Sequence, residues 1–174
     1  NLGYGWAKRV GELQAKMHAK EFGMKVSIIR PMNAYGPRDD FDPETSHVIP
    51  ALIRKIINAK TEVSIWGSGN QTRAFVYVDD VARGMLMTLE KLTTPDPINI
   101  GTNEEIKIKD LVSTIVNITE RDDLQIKYDT TKPEGQLRKT ADTKKAEKLI
   151  QYKPKYSLEE GLKHTIDWYR SSIN

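Results

Sequence analysis

Cysteine is absent from this 174-residue chain, which excludes disulfide staples and thiolate metal sites and agrees with a cytoplasmic location. Histidine is scarce too: His18, His47 and His164 are spread too widely for a ligand set, so no metal is expected. There is no apolar run near the roughly 18 residues a membrane-spanning helix needs, and the opening does not read as a secretory leader. Lys and Arg exceed Asp and Glu by only 27 to 24, with no long basic block or aromatic-basic alternation, which argues against a nucleic-acid partner. Nor is there a glycine-rich strand-turn-helix of the kind that cradles a dinucleotide pyrophosphate. Gly67-Ser68-Gly69 lacks both the third glycine and the following helix.

What is present is a globular composition, 38% hydrophobic and 29% charged, with no repeat or low-complexity tract. Val10, Leu13, Met17 and Phe22 predict an amphipathic opening helix that stops at Gly23. A buried strand is expected over 26–30 and a loop over 38–46. A helix over 47–57 comes next, with Ser46 as N-cap and Pro50 in its first turn. Strands are predicted at 62–66 and 73–78, joined by a turn over 67–70. Asp79 then caps a helix to about 92 with Val81, Met85, Leu86 and Leu89 facing inward. Beyond it come a strand at 98–101, a helix from 108 to about 119, an alternating strand at 124–128 and a turn-rich stretch over 129–138. Thr143 is expected to cap a helix over 144–150, and Ser157 with Glu160 reads as a capping box for a last helix to 169. Such alternation predicts an α/β architecture.

Tyr4 and Lys8 stand one helical turn apart on one face. An ammonium beside a phenol favours the phenolate, which suits the pair to proton transfer. By itself such a pair is common helix decoration, and its weight comes from the residues downstream of it. Tyr4-Gly5-Trp6-Ala7-Lys8, then a strand ending in Arg30-Pro31-Met32-Asn33-Ala34-Tyr35-Gly36-Pro37, resembles the second half of the extended short-chain dehydrogenase/reductase family, which includes nucleotide-sugar epimerases, dehydratases and reductases. Ser46-His47-Val48-Ile49-Pro50, Trp66-Gly67-Ser68-Gly69 with Arg73, and the 132–139 segment are similar to the branch that epimerises and reduces GDP-4-keto-6-deoxymannose.

The resemblance implies the C-terminal part of an NAD(P)-binding Rossmann enzyme with a smaller α/β substrate domain. Residues 1–37 would belong to the cofactor domain and 38–174 mainly to the substrate domain, with about 73–101 returning to the Rossmann sheet. It also implies an upstream half carrying the glycine-rich loop, a catalytic Ser or Thr and a cysteine base. Tyr4 would give a proton to the 4-keto oxygen, Lys8 would hold the cofactor ribose, and His47 would protonate the carbon next to the ketone, a role an imidazole suits. Pro31, Met32, Asn33 and Ala34 match the loop along the nicotinamide, with Tyr4, Lys8 and His47 also against the cofactor. Asn33 would offer an amide there or hold the loop's shape. Asn33, Lys55, Trp66, Arg73, Glu134 and Lys139 match substrate contacts, and Arg54 is the alternative cation to Lys55. NADP(H) is the implied cofactor, with NAD for the alternative of a 4-epimerase or dehydratase. A homodimer through the Tyr4 helix is implied as well, and a further alternative is that this chain alone is catalytically incomplete.

Overall fold

In the computed structural model, which describes residues 2–173, helices and strands alternate as an α/β architecture. The elements in order are α1 (Leu2–Phe22), β1 (Ile29–Pro31), β2 (Ala34–Tyr35), α2 (Val48–Asn58), β3 (Glu62–Trp66), β4 (Thr72–Arg73), β5 (Val76–Tyr77), α3 (Val78–Lys91), β6 (Ile98–Ile100), β7 (Ile106–Lys107), α4 (Ile108–Thr119), β8 (Gln125–Asp129), β9 (Arg138–Lys139), α5 (Lys144–Ile150) and α6 (Leu158–Ser172). Among the described residues four pairings are parallel: β1 with β6, β2 with β5, β3 with β8 and β4 with β9. Parallel partners cannot be joined by a tight hairpin, so helices fill the crossovers. β4 lies between β7, antiparallel to it, and β9, parallel to it.

The larger core is built around α2. Ile49, Leu52, Ile53 and Ile56 recur at helical spacing and are at most 6% exposed. They cluster with Leu111, Val112 and Ile115 of α4, Leu162 and Ile166 of α6, and Val63 and Ile65 of β3. Each such side chain contributes about 1.5–3 kcal/mol of burial. Strand β3 alternates, so Val63 and Ile65 enter the core while Glu62, Ser64 and Trp66 face outward. A smaller cluster joins Ile98 and Ile100 to Ala146, Ile150 and Tyr152.

One buried carboxylate ties α3 to the segment that leads into α6. Asp80, 1% exposed, accepts from the backbone amides of Lys155 (2.9 Å) and Tyr156 (3.0 Å) and from Arg83 (2.5 Å). The Tyr35 hydroxyl donates to the Leu158 carbonyl at 3.1 Å, and burial pushes its ionisation well above the ordinary phenol range.

Several expectations from sequence are corrected. The strand over 26–30 forms only from Ile29, because its partner is three residues long, and Val26 to Ile29 are half-buried rather than buried. The strand over 73–78 splits into β4 and β5, which serve different pairings on either side of Ala74 and Phe75. Residues 34–35, 106–107 and 138–139 are short strands that the sequence pattern hid. Asp79 does not cap α3: Tyr77 is the N-cap, and Asp79 and Asp80 fall in the first turn, where carboxylates suit the positive end of the helix. Of the four residues expected inward, Val81 is buried but Met85, Leu86 and Leu89 are exposed by 52, 62 and 68%. The inner stripe runs instead through Asp80, Gly84 and Thr88, since the amides at 155 and 156 draw Asp80 in and Gly84 lets Ile100 close on the helix, where a Cβ would meet it at 2.8 Å.

Capping shows the same mixture. His47, not Ser46, is the N-cap of α2, and its side chain makes no cap bond. Thr143 holds the N-cap position of α5, but its hydroxyl donates to Asn103 while Asp142 accepts from the Lys144 amide. The Ser157–Glu160 capping box is present in full. The opening helix stops at Gly23, φ +63°, as expected. Yet none of its residues is buried, and Val10, Leu13, Met17 and Phe22 all stand exposed. Glu12 holds it to β1 through a two-pronged pair with Arg30, both bonds 2.6 Å, and that guanidinium keeps the Glu12 carboxyl below the usual carboxylate range.

Replacing Asp80 with alanine leaves two part-buried amides and one guanidinium without their buried acceptor. The expected loss is about 3 kcal/mol or more in urea denaturation; a loss under about 1 kcal/mol would show those groups finding water instead.

Candidate functional site

Helix α2 and the short strands around β4 border two adjoining hollows. The larger, about 880 Å³, is lined by Tyr4, Pro31, Asn33, Ala34, His47, Arg73 and Lys139 among others. The smaller, about 350 Å³, is lined by His47, Arg54, Lys55, Trp66, Gln71, Arg73 and Glu134 among others. Ser46, His47, Val48 and Arg73 belong to both walls, so the hollows meet at the start of α2. Both volumes fall in the roughly 300–1,000 Å³ range of small-molecule sites.

Local structure explains each placement. His47 sits at the rim because the five buried residues of α2 fix the axis whose first turn it opens. Arg73 and Lys139 reach the larger hollow side by side because β4 and β9 pair with these two residues in register. Trp66, 56% exposed, follows the outward alternation of β3, and the Lys55 and Lys132 ammoniums stand 5.6 and 5.9 Å from its ring centroid. Lys55 also donates to the Ser64 carbonyl at 3.3 Å. Burial holds its ammonium below the ordinary lysine range, and the Arg54 charge adds to the shift.

Glu134 is brought to the lip by a turn that needs glycine. Gly67 has φ +81°, and a Cβ there would meet the Glu134 side chain at 2.8 Å. The Ser68 hydroxyl donates to Glu134 at 2.8 Å and holds the carboxylate in place. Asn33 adopts φ +39° and its amide donates to the Ala74 carbonyl at 2.8 Å, so the side chain holds the 31–34 turn where the residue lines the larger hollow.

Two of the residues singled out from sequence line neither hollow. Lys8 lies beside Tyr4, its ammonium 5.4 Å from the ring centroid. Met32 turns away to pack on Gly101, where a Cβ would meet it at 3.1 Å. Gln71, which belongs to no motif in the sequence, lines the smaller hollow and is 6% exposed. Its signal was position: Gln71 and Arg73 are two apart and therefore share one side of an extended chain. Among the described residues no group of three or more acidic, histidine or cysteine side chains is placed to hold a metal ion.

The chain is thus a largely parallel-paired α/β unit with a cationic cleft bordered by α2 and β4. The family whose sequence profile matches residues 1–101 is the NAD dependent epimerase/dehydratase family, and the chain belongs to it. It is 34% identical over 177 residues to GDP-L-fucose synthase 1 of Arabidopsis thaliana, covering 99% of this chain and 54% of that protein. The crystal structure of the GDP-L-fucose synthetase of Naegleria fowleri bound to NADP matches with a TM-score of 0.88 at 30% identity, covering 98% of this chain and 54% of that one. The UDP-glucose 4-epimerase of Thermotoga maritima with UDP-glucose matches with a TM-score of 0.84 at 33% identity, over 98% and 54%. The chain thus spans about half the length of the curated relatives it matches.

Because its amide is committed to Ala74 and its backbone is left-handed, Asn33→Ala is expected to cost about 2 kcal/mol in thermal or urea unfolding and Asn33→Gly about half of that. Equal losses from the two would mean the backbone conformation carries no strain.

Proposed function

We propose that the protein carrying this chain is a nucleotide-sugar epimerase-reductase of the GDP-L-fucose synthase kind, acting on GDP-4-keto-6-deoxymannose. The observation that carries it is the single hollow lined by both Tyr4 and His47, opening beside the cationic cavity of Lys55, Trp66 and Arg73. A keto-hexose in the larger hollow with its nucleoside diphosphate in the smaller would have a phenol on one side and an imidazole on another.

The residues present fit the nicotinamide end of NADP(H). Pro31 and Ala34 wall the same hollow as Tyr4, and the left-handed Asn33 turn brings the backbone of that loop to its edge. When bound, NADPH supplies the hydride for carbon 4. Tyr4 gives the proton that converts the 4-keto oxygen to a hydroxyl, and Lys8, one turn on, orients the ribose and Tyr4. Epimerisation needs a base to take the proton from the carbon beside the ketone, the cysteine that the resemblance puts upstream of this chain, and an acid to return one to the opposite face, which His47 does. Arg73 and Lys139 hold anionic oxygens of the substrate, and Trp66 offers a flat apolar surface. With the reading goes the division into a cofactor domain over 1–37 and about 73–101 and a substrate domain over the rest of 38–174.

The row of exposed apolar residues on α1, from Tyr4 and Trp6 to Met17 and Phe22, supports a homodimer through that helix. No helix among the described residues is long and apolar enough to cross a membrane; a cytoplasmic setting goes with the proposed function. The likeness to a UDP-glucose 4-epimerase at 33% identity supports a second reading, an NAD-holding 4-epimerase, in which His47 is dispensable. These 174 residues carry no phosphate-cradling loop and are expected to be inactive by themselves.

NADPH oxidation by the complete protein with GDP-4-keto-6-deoxymannose separates these. The expected result is turnover, with His47→Gln and Tyr4→Phe each lowering kcat by about 100-fold or more. Turnover of UDP-sugars alone, unaffected by His47→Gln, would overturn the proposal in favour of the 4-epimerase.

A further inference from the structure

His47 stands at the end of a strap, not inside an element. Residues 38–46 form neither helix nor strand, and the His47 side chain makes no cap bond at the start of α2. The strap braces itself with its own carboxylates. Asp40 accepts from the Asp42 amide at 2.9 Å and from the Thr45 hydroxyl at 2.5 Å, Asp42 accepts from the Glu44 amide at 2.8 Å, and the Asp42 carbonyl accepts from the Ser46 amide at 3.1 Å. Bonds between near neighbours give a loop its shape, but they do not fix where it lies on the protein.

Phe41 does that. It is the one aromatic residue of the strap and is half-buried against the larger core. Its ring stacks on Tyr169 of α6, 4.5 Å between centroids and 17° between planes, with Trp168 beside it at 5.7 Å. Tyr169 is 6% exposed, and its hydroxyl accepts at 3.0 Å from the side-chain amide of Asn58, the last residue of α2. One buried ring thus meets both the strap that leads into α2 and the residue that ends it. Helix α6 is a firm base, since Leu162 and Ile166 are fully buried and Arg170 donates to the Thr119 carbonyl at 2.9 Å. His47 lies six residues from Phe41 along the strap and is joined to Asn58 by eleven residues of rigid helix, about 16 Å. Phe41 and Tyr169 stay outside both hollows, so any effect they have on chemistry passes through what they hold.

A proton moves only within hydrogen-bonding reach, and a displacement of about 1 Å costs about 100-fold in rate. Resting on the nucleotide-sugar function proposed above, we propose that Phe41, clasped to Tyr169, is a positioning residue for His47: the clasp sets the imidazole against the carbon it protonates. Tyr4 does not share the clasp, since α1 is held to β1 through Glu12 and Arg30.

The test is a double-mutant cycle on the complete protein, read as NADPH oxidation with GDP-4-keto-6-deoxymannose. Phe41→Ala is expected to lower kcat about 10-fold with KM for the sugar changed less than about twofold, and Phe41→Tyr, which keeps the ring, to hold kcat within about twofold of the unaltered protein. In a His47→Gln background the same Phe41→Ala change is expected to cost less than about twofold more, because a residue that acts through the imidazole has nothing left to place. Phe41→Leu, which keeps apolar bulk and loses the stack, gives the same reading with a loss of about fivefold should the alanine variant fail to fold. A loss of about 10-fold that persists in the His47→Gln background, or Phe41→Ala and Phe41→Leu each within about twofold of the unaltered protein, would overturn the clasp while leaving the proposed function standing. No turnover of GDP-4-keto-6-deoxymannose by the unaltered protein would instead remove the proposed function, and the clasp with it.

Discussion

Everything at the cleft depends on how α2 is anchored. Ile49, Leu52, Ile53 and Ile56 sink into the core against α4, α6 and β3, which leaves the helix no freedom to roll. With that face committed, geometry decides the rest: His47 must open the first turn at the rim, and Arg54 and Lys55 must emerge on the side that borders the smaller hollow. The apolar stripe thus does a functional task indirectly. Interiors are close-packed, so the buried stripe holds the imidazole and the cations in one frame.

The facing wall is assembled from pieces far apart in sequence that short pairings bring together. β4 takes β7 on one side and β9 on the other, and its register sets Arg73 beside Lys139. Strand β3 presents Trp66 by alternation, and the following glycine turn leaves room for Glu134 to fold over it, held by Ser68. None of these contacts is large. Their precision comes from backbone bonds such as Gly67 to Asp129 at 2.8 Å and Thr72 to Leu137 at 2.8 Å, which fix the wall without occupying the space a ligand needs.

Much of this was legible in the residues alone. The helices at the start, middle and end announced themselves by periodicity; Tyr4, Lys8 and His47 carried a family resemblance that the match over residues 1–101 bears out, and the 132–139 segment falls within the alignment to GDP-L-fucose synthase 1 of Arabidopsis thaliana, which covers 99% of the chain. What the pattern hid has physical causes. β2, β7 and β9 are two residues long, too short for any period to register. Apolar spacing misled on α3, where a buried Asp80 and a glycine replace the expected Met85, Leu86 and Leu89 on the inner face. Polar burial is satisfied by amides 75 residues away, which no local window contains. The same blindness concealed Gln71, which lines the smaller hollow. Likewise the committed amide of Asn33 emerges only once Ala74 is seen beside it.

The proposed function stands or falls on one cleft holding a keto-hexose between Tyr4 and His47 with its nucleoside diphosphate along α2. A crystal structure of the complete protein with a bound nucleotide-sugar decides it. The hexose ring is expected in the larger hollow, its carbon-4 oxygen within hydrogen-bonding reach of the Tyr4 hydroxyl, and the diphosphate between α2 and Arg73. A sugar seated elsewhere, for instance in the small aromatic cavity of Tyr35, Tyr77 and Tyr156, or one that leaves His47 facing solvent, would contradict it.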